Sequence, residues 1–343
     1  MKKEKKRYLH ITERLLFTLS GAVLGFGGYS FFLNIQKTNV PNIDKNIEFR
    51  EIVHNYKYVD PLLTCDNGNS PQSHNYALES QLKSISDDEI SRGNAKNISV
   101  YLRQLNTGEW AGIDEDHLYD PASLLKIVLM ITYYKDASTK HFGVLSSQYI
   151  YTQELEKVND AILFHAPTSL NVGKSYTVDE LIRAMIVDSD NGATFTLLDH
   201  VDSQQLALVY KELDILDPDV RKDSYKISSK KYSLFFRILY NATYLDEALS
   251  EKALELLTKT TYYDGLVAAL PKDVVVAHKY GEHVNGNQDG NVASLELHDC
   301  GIIYKHDSPY FLCVMTSGQS LDKLSQVIQR IAKEAYGAID TKF

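Results

Sequence analysis

The spacing of hydrophobic positions changes along the chain, and these changes predict the order of the elements. Apolar residues recur at helical intervals in the segments 76–85, 177–186 and 321–331, and helical spacing dominates a long central region. Short apolar or alternating runs indicate strands at 98–102, 110–113, 274–276, 295–304 and 310–316. Strands therefore lie near both ends of this part of the chain, with helices between them.

This order predicts an α+β fold, in which an antiparallel sheet forms from both chain ends, helices flank it, and an all-α lobe is inserted. We assign residues 73–343 to this domain. Its α/β lobe comprises residues 73–117 and 264–343, and its helical lobe comprises residues 118–263. A cleft between two lobes is the expected place for a site.

The region before the domain predicts a membrane anchor. Residues 1–14 are basic and form a cytoplasmic tail in this interpretation, whereas residues 15–36 contain no charged side chain. As a helix, residues 15–36 span about 33 Å, which is enough for a bilayer core. Basic residues on the N-terminal side place the domain outside the cytoplasm, beyond a polar linker at 37–72. A cleaved signal peptide is the alternative.

Composition narrows the classes of function. The chain has 343 residues and a formal net charge of −9, and no basic stripe follows the first residues, so we expect no nucleic-acid partner. Its 11 histidines form neither a His-Glu-x-x-His nor a Cys-x-x-Cys pattern. We therefore expect no metal and no cofactor. The oligomeric state is left open.

The chain contains three cysteines, which is too few for a disulfide scaffold. Cys300 and Cys313 fall opposite each other if the late hairpin is symmetric about its turn. A cross-strand disulfide and two buried free thiols are both compatible with that placement. We favour free thiols, because directly paired strand positions rarely suit an unstrained bridge. Cys65, in the linker, has no local partner.

The candidate chemistry begins at Ser123. Asp120 is a good helix N-cap and Pro121 suits the first helical position, so Ser123 lies in the first turn with Lys126 on the same face. The helix dipole and the burial of the lysine favour an activated hydroxyl. The same Ser-x-x-Lys spacing recurs at three other places, so spacing alone equally describes a solvated helix face: Ser80/Lys83, Ser228/Lys231 and Ser320/Lys323.

Two further motifs stand downstream. Ser189-Asp190-Asn191 follows a helix that begins with the capping box Thr177 and Glu180. Lys279-Tyr280-Gly281 ends the β-branched run at 274–276. Taken singly, the first is ordinary turn composition and the second is a solvated lysine at a strand end.

Ser-x-x-Lys, Ser-Asp-Asn and Lys-x-Gly in this order resemble the class A β-lactamases and the related penicillin-binding DD-peptidases, over residues 73–343. The resemblance implies an active-site serine hydrolase that acts on a β-lactam or a peptidoglycan peptide. It implies that Ser123 is the nucleophile and that Lys126 takes its proton. It implies that Ser189 relays a proton to the leaving nitrogen and that Lys279 keeps this network electropositive. Asn191 would orient Lys126 and the substrate. The backbone N–H groups of Ser123 and Glu282 would form an oxyanion hole.

Two departures from the family pattern bear on substrate and turnover. Tyr280 stands where the family has Thr or Ser, between Lys279 and Gly281, so recognition of the substrate carboxylate changes. No Glu-x-x-Leu-Asn motif for deacylation occurs between Ser189 and Lys279. We therefore expect a long-lived β-lactam adduct or DD-peptidase-like turnover. The alternatives are a membrane-tethered sensor, inert or acylated once, and a serine amidase of the glutaminase type.

Overall fold

The computed structural model describes residues 56–61, 73–161, 163–164, 168–215, 225–286 and 292–339. All of these residues belong to one unit of the chain, Glu48–Phe343. Within them, no helix has both the length and the apolar composition of a membrane span. The predicted anchor at 15–36 and Cys65 lie outside the described residues.

A five-stranded antiparallel sheet is formed by segments from both ends of the domain, as predicted. Its order is β2-β1-β7-β6-β5. The strands are β1 (Asn97–Gln104), β2 (Trp110–Ile113), β5 (Val275–Gly286), β6 (Val292–Tyr304) and β7 (Tyr310–Gly318). A separate two-stranded ribbon pairs β3 (Gln148–Ile150) with β4 (Ser175–Thr177). This ribbon lies within residues 118–263, so the expectation that the inserted lobe is all-α was wrong.

Helices occupy the region between the two strand groups and both ends of the domain. The α-helices are α1 (Tyr76–Ser91), α2 (Lys126–Thr139), α3 (Gln153–Lys157), α4 (Val178–Val187), α5 (Asn191–His200), α6 (Ser203–Glu212), α7 (Ser229–Tyr240), α8 (Glu247–Leu257) and α9 (Leu321–Ala338). Short 3₁₀ segments lie at Ala122–Leu125, Val144–Ser146, Val158–Ala161 and Val267–Ala269. The predicted capping box starts α4, since Thr177 and Glu180 exchange side-chain and backbone hydrogen bonds.

The sheet separates two apolar cores, which explains why its central strands are apolar on both faces. In β7, Leu312 and Val314 pack with α1 and α9, whereas Phe311 and Met315 pack with the helices inserted between the strand groups. Successive side chains point to opposite faces of a strand. A strand buried on both sides therefore needs a continuous apolar run rather than alternation.

The β5 strand is longer than the sequence predicts. The β-branched run suggested a strand that ends at Lys279–Gly281, but pairing with β6 continues to Gly286, so that expectation was wrong. The extension is polar and partly exposed, and it carries none of the apolar signal that marks the buried half. The Lys279 motif consequently lies inside strand β5, where its backbone is paired with strand β6.

Cys300 and Cys313 form a disulfide, so the expectation of two free thiols was wrong. The two residues are direct partners in the β6–β7 ladder, with Cα atoms 3.9 Å apart. Both side chains are fully buried. The register of this hairpin, which the sequence only suggested, brings the two sulfurs together.

Residues 56–61, assigned above to the linker, lie against the folded domain. The Glu251 carboxylate accepts hydrogen bonds from the backbone N–H groups of Lys57, Tyr58 and Val59. The backbone N–H of Asp60 donates to the carbonyl of Tyr240 at 2.8 Å. This part of the predicted linker is therefore attached to helices α7 and α8.

The disulfide predicts a thiol count. Of the three cysteines, two are bonded, so the denatured, unreduced protein should react with one equivalent of thiol reagent and the reduced protein with three. Replacing both Cys300 and Cys313 by Ala should lower the free energy of unfolding by roughly 2–4 kcal/mol in urea titrations. Cys65→Ala is the control for the count, and three reactive thiols before reduction would contradict the bond.

Candidate active site

The turn that carries Ser123 differs slightly from the predicted helix start. Residues Ala122–Leu125 form a 3₁₀ turn that leads directly into α2 at Lys126. The Asp120 carboxylate accepts a hydrogen bond from the backbone N–H of Ala122 at 2.8 Å, but the cap position of the turn is Pro121 and has no side-chain cap, so the expectation that Asp120 is the N-cap was wrong. Ala122 has φ of 46°, a conformation that side chains with Cβ adopt only under constraint. Ser123 is partly exposed at this turn.

Strand β6 supports the start of the Ser123 turn through two side chains. Glu296 accepts a hydrogen bond from the backbone N–H of Asp120 at 3.1 Å, and the ring of His298 lies 3.0 Å from the Asp120 carbonyl. Nδ1 of His298 accepts from the backbone N–H of Thr316, so the network assigns the proton to Nε2, which donates to Asp120. A fully buried imidazole thus helps to position Asp120, whose carboxylate is bonded to the turn.

Strand β5 passes directly beside the same turn at Gly281. A Cβ atom at this position would lie 2.8 Å from the carbonyl oxygen of Pro121 and 3.2 Å from the nitrogen of Leu124. Only glycine permits this approach without displacing backbone. The contact brings the backbone of β5 against the Ser123 turn, one residue before Glu282.

The Ser189 loop meets α2 at the Lys126 ammonium group. Nζ of Lys126 donates to the carbonyl oxygen of Ser189 at 2.5 Å, to Oγ of Ser189 at 3.2 Å and to Oδ1 of Asn191 at 2.8 Å. Lys126 and Ser189 are buried, and Ser189 has φ of 56°. No hydrogen bond of the Ser123 hydroxyl is found among the described residues; Lys126 is instead oriented by the loop.

Lys279 completes the cluster from β5. Its Nζ donates to Oγ of Ser189 at 2.9 Å and to the carbonyl oxygen of Tyr280 at 3.1 Å, and its side chain is fully buried. The Ser189 hydroxyl therefore contacts two lysine amino groups, one from α2 and one from β5. The three predicted motifs meet in one place, although they are separated by many residues in the sequence.

Burial controls the protonation of both lysines. Desolvation lowers the pKa of Lys126 well below its usual value, and the charge of Lys279 lowers it further. Desolvation also lowers the pKa of Lys279, to about 7, while the carboxylates of Asp299 and Glu282 oppose this decrease. Near neutral pH, Lys126 is therefore available in its neutral form to accept a proton, whereas Lys279 is charged in a fraction of the molecules.

A group of side chains around Asp190 supports the Ser189 loop, and no pattern in the sequence indicated it. The Asp190 carboxylate accepts hydrogen bonds from the backbone N–H of Ala193, from the side chains of Tyr151 and Asn159, and from the Thr168 hydroxyl. Asn159 also accepts from the backbone N–H of Asn191 at 2.7 Å. Asp190 lay within the Ser-Asp-Asn motif, but nothing in the sequence marked its partners.

Glu282 and Tyr280 have side-chain environments that the motif alone did not indicate. The Glu282 carboxylate accepts from the backbone N–H of Leu163 at 2.5 Å and from that of Phe164 at 3.2 Å. The Tyr280 ring is buried and stacks on Tyr262, with ring centroids 4.2 Å apart. Tyr280 thus packs in an aromatic group beside Lys279.

The segment 212–227, between the Ser189 and Lys279 motifs, contains acidic residues that could be considered for deacylation, and the two described ones are bound to other side chains. Glu212 accepts a hydrogen bond from the Tyr244 hydroxyl at 2.6 Å. Asp214 is fully exposed and pairs with Lys231 at 3.0 Å. Three further aspartates of that segment lie outside the described residues: Asp217, Asp219 and Asp223.

One potential metal-ligand group occurs among the described residues, formed by Asp136, His141 and Asp202. Asp136 is about 15 Å further along α2 than Lys126, so none of the three belongs to the predicted site.

Comparison with solved structures finds the same fold in PBP-A and in several β-lactamases. PBP-A matches with a TM-score of 0.62 and 18% identity over 78% of this chain and 97% of its own. A β-lactamase from Sphaerobacter thermophilus matches with a TM-score of 0.61 and 19% identity, covering 76% of this chain and 99% of its own. A β-lactamase from Chitinophaga pinensis matches with a TM-score of 0.62 and 20% identity, at 76% and 99% coverage.

Comparison with curated proteins finds no match. A family model described as the β-lactamase enzyme family matches residues 77–339, which is most of the chain and includes all three motifs. Together with the fold and the meeting of Lys126, Ser189 and Lys279, this match shows that the chain belongs to the β-lactamase enzyme family.

Proposed function

We propose that this protein is an active-site serine hydrolase that forms an acyl-enzyme on Ser123 with β-lactams or D-alanyl-D-alanine-type amides. The observation that carries the proposal is the contact of Ser189 with both Lys126 and Lys279, beside the Ser123 turn. A hydroxyl, a basic amine, a second hydroxyl and a charged amine are the groups that acyl transfer from nitrogen to oxygen requires.

Acylation proceeds in one balanced sequence in this proposal. Oγ of Ser123 attacks the carbonyl carbon, and neutral Lys126 accepts the hydroxyl proton. The hydrogen bond between these two residues forms with substrate bound, since catalytic hydrogen bonds are often long in the free enzyme. The backbone N–H groups of Ser123 and Glu282 bind the developing oxyanion, each contributing about 3 kcal/mol.

Collapse of the tetrahedral intermediate breaks the carbon–nitrogen bond and requires a proton on the leaving nitrogen. Ser189 donates that proton and regains one from Lys126, whose Nζ lies 3.2 Å from Oγ of Ser189. Lys279 stays charged during this step and stabilises the transient negative charge on Ser189. Asn191 keeps Lys126 directed toward both hydroxyls.

We further propose that the acyl-enzyme hydrolyses slowly. The sequence lacks the Glu-x-x-Leu-Asn motif, and the described acids of the corresponding region, Glu212 and Asp214, are engaged by Tyr244 and Lys231. A mutant of PBP-A, which shares the fold, has been solved as an acyl-enzyme complex with penicillin G. The present protein is therefore expected to behave as a penicillin-binding enzyme rather than an efficient β-lactamase.

Intact-mass measurements test the acylation. Incubation with benzylpenicillin should add one adduct that persists for minutes or longer, because the sequence lacks the Glu-x-x-Leu-Asn glutamate that would activate the deacylating water. Ser123→Ala should abolish the adduct. Ser80→Ala, a matched change in another Ser-x-x-Lys on the exposed face of α1, should not.

The outcomes also separate the alternatives. Lack of any adduct in the wild-type protein would contradict the proposal and favour an inert binding domain. An adduct without release of D-alanine from a pentapeptide would indicate a single-turnover sensor, and turnover of glutamine would indicate an amidase. Rapid nitrocefin hydrolysis would contradict slow deacylation.

The two lysines predict a bell-shaped pH dependence of the acylation rate constant. The rate should fall at low pH as Lys126 becomes protonated, and it should fall above about pH 7 as Lys279 loses its charge. Lys279→Arg, which stays charged, should remove the alkaline decrease if the variant acylates. Stopped-flow acylation with folding monitored at each pH is the measurement, and a rate that rises steadily to pH 10 would contradict the role of Lys279.

We also propose that the domain is tethered outside the cytoplasm. The uncharged stretch at 15–36, preceded by basic residues, and the Cys300–Cys313 disulfide support this location, because disulfides persist mainly in oxidising compartments. Protease added to intact cells of the expressing bacterium should digest the domain, which should sediment with membranes. A soluble, protected domain, or a mature N-terminus beyond residue 30, would contradict the anchor.

A further inference from the structure

A second group of titratable side chains lies in the helical lobe, away from the Ser123 turn. Asp136 is in the last turn of α2, His141 follows the end of that helix, and Asp202 is the N-cap of α6. Their potential ligand atoms all lie within 4.8 Å of one another. The sequence predicted no metal because Asp202 is remote from the other two residues in the chain, so that no spacing pattern marks the three together.

The Asp136 carboxylate is buried without a fixed positive charge. Its side chain is only 6% exposed, and its hydrogen bonds among the described residues come from Nδ1 of His141, at 2.8 and 3.0 Å. The carboxylate lines a cavity whose described walls contain no lysine and no arginine. Since a buried carboxylate is costly when no cation compensates it, this position favours a bound positive charge.

The cavity, of about 530 Å³, carries further electron-pair donors on its walls. Oδ1 of Asp202 accepts hydrogen bonds from the backbone N–H groups of Gln204 and Gln205, whereas its Oδ2 has no hydrogen bond among the described residues. Nδ1 of His200 donates to the carbonyl oxygen of Thr196 at 2.8 Å, so the neutral ring keeps a lone pair on Nε2. Metal-binding histidines are commonly fixed through their second nitrogen in this way.

The donor set favours a transition-metal ion over Ca²⁺ or Mg²⁺. Calcium and magnesium prefer oxygen ligands alone, whereas Zn²⁺ binds imidazole nitrogen together with carboxylate oxygen. Ligands at about 2.0–2.2 Å from a tetrahedral zinc ion lie about 3.4 Å from one another. The three atoms, which are within 4.8 Å of one another, therefore need to approach by about 1.5 Å at most.

We infer that Asp136, His141 and Asp202 bind one Zn²⁺ ion, which joins the end of α2 to the start of α6. The ion supplies the fixed positive charge that the buried carboxylate lacks. Three protein ligands leave one position of a tetrahedral ion to water. The site is independent of the proposed acylation, because Lys126 lies at the opposite end of α2.

Calorimetric titration of the metal-free, full-length protein in detergent with zinc chloride tests the site. The protein carries no histidine tag and has the change Cys65→Ala, because tags and thiolates also bind zinc. One equivalent of Zn²⁺ should bind in the micromolar range or tighter, and excess Ca²⁺ or Mg²⁺ should not displace it. If no saturable binding occurs up to millimolar Zn²⁺, the inference is overturned, and Asp136 and His141 form an ion pair only.

Two variants separate this site from binding elsewhere on the surface. Asp202→Asn retains an N-cap and His141→Gln changes an exposed side chain, so both should fold. Each should raise the Kd for Zn²⁺ at least tenfold, since even the loss of a ligand's outer partner weakens metal affinity about 10- to 100-fold. The matched controls are Asp246→Asn, at the N-cap of α8, and His306→Gln, an exposed histidine paired with Asp307. Both controls should leave the Kd unchanged.

Thermal unfolding gives a second readout. Saturating Zn²⁺ should raise the Tm of the wild-type protein, because a ligand that binds only the folded state stabilises it, and should leave the Tm of His141→Gln unchanged. An equal Kd in the wild-type protein and in His141→Gln would place the ion elsewhere and overturn the inference. Neither measurement uses penicillin, so the outcome does not depend on the proposed function.

Discussion

The site depends on one contact, in which a single serine hydroxyl lies between two buried lysines. Lys126 and Lys279 approach Oγ of Ser189 to 3.2 and 2.9 Å, away from solvent. Two ammonium charges this close in a poorly solvated region repel each other, and each also loses hydration. This cost lowers the pKa of both groups, and Lys126, whose pKa falls well below its usual value, becomes available as a base.

The rest of the fold keeps these groups in position despite that cost. Asp120, itself held by Glu296 and His298 of β6, accepts a hydrogen bond from Ala122 in the turn of Ser123, and Gly281 lets β5 lie directly against that turn. Positive φ angles at Ala122 and Ser189 show that backbone strain is tolerated on both sides of the cluster. The fold of a central sheet with helices on both faces supplies the rigidity that such strain requires.

The departures from the family pattern form a consistent picture of substrate and turnover. Tyr280 replaces a small hydroxyl residue with a buried ring that stacks on Tyr262, and the motif that would activate water is missing. The contacts of Ser189 with Lys126 and Lys279 are the ones on which the proposed acyl transfer depends. In that proposal, recognition of the substrate carboxylate and release of the acyl group are the steps in which this protein is expected to differ from its relatives.

The sequence by itself determined the elements with strong local signals and the identity of the three motifs. The capping box at Thr177, the apolar stripe of α9 and the order of strands needed only local periodicity. Tertiary structure alone decided what depended on register and long-range contact: the continuation of β5 past Gly281, the bond between Cys300 and Cys313, and the partners of Asp190. Local spacing marks which side chains share a face, but pairing between distant segments decides which of them meet, because contacts between remote positions leave no periodic trace in one sequence.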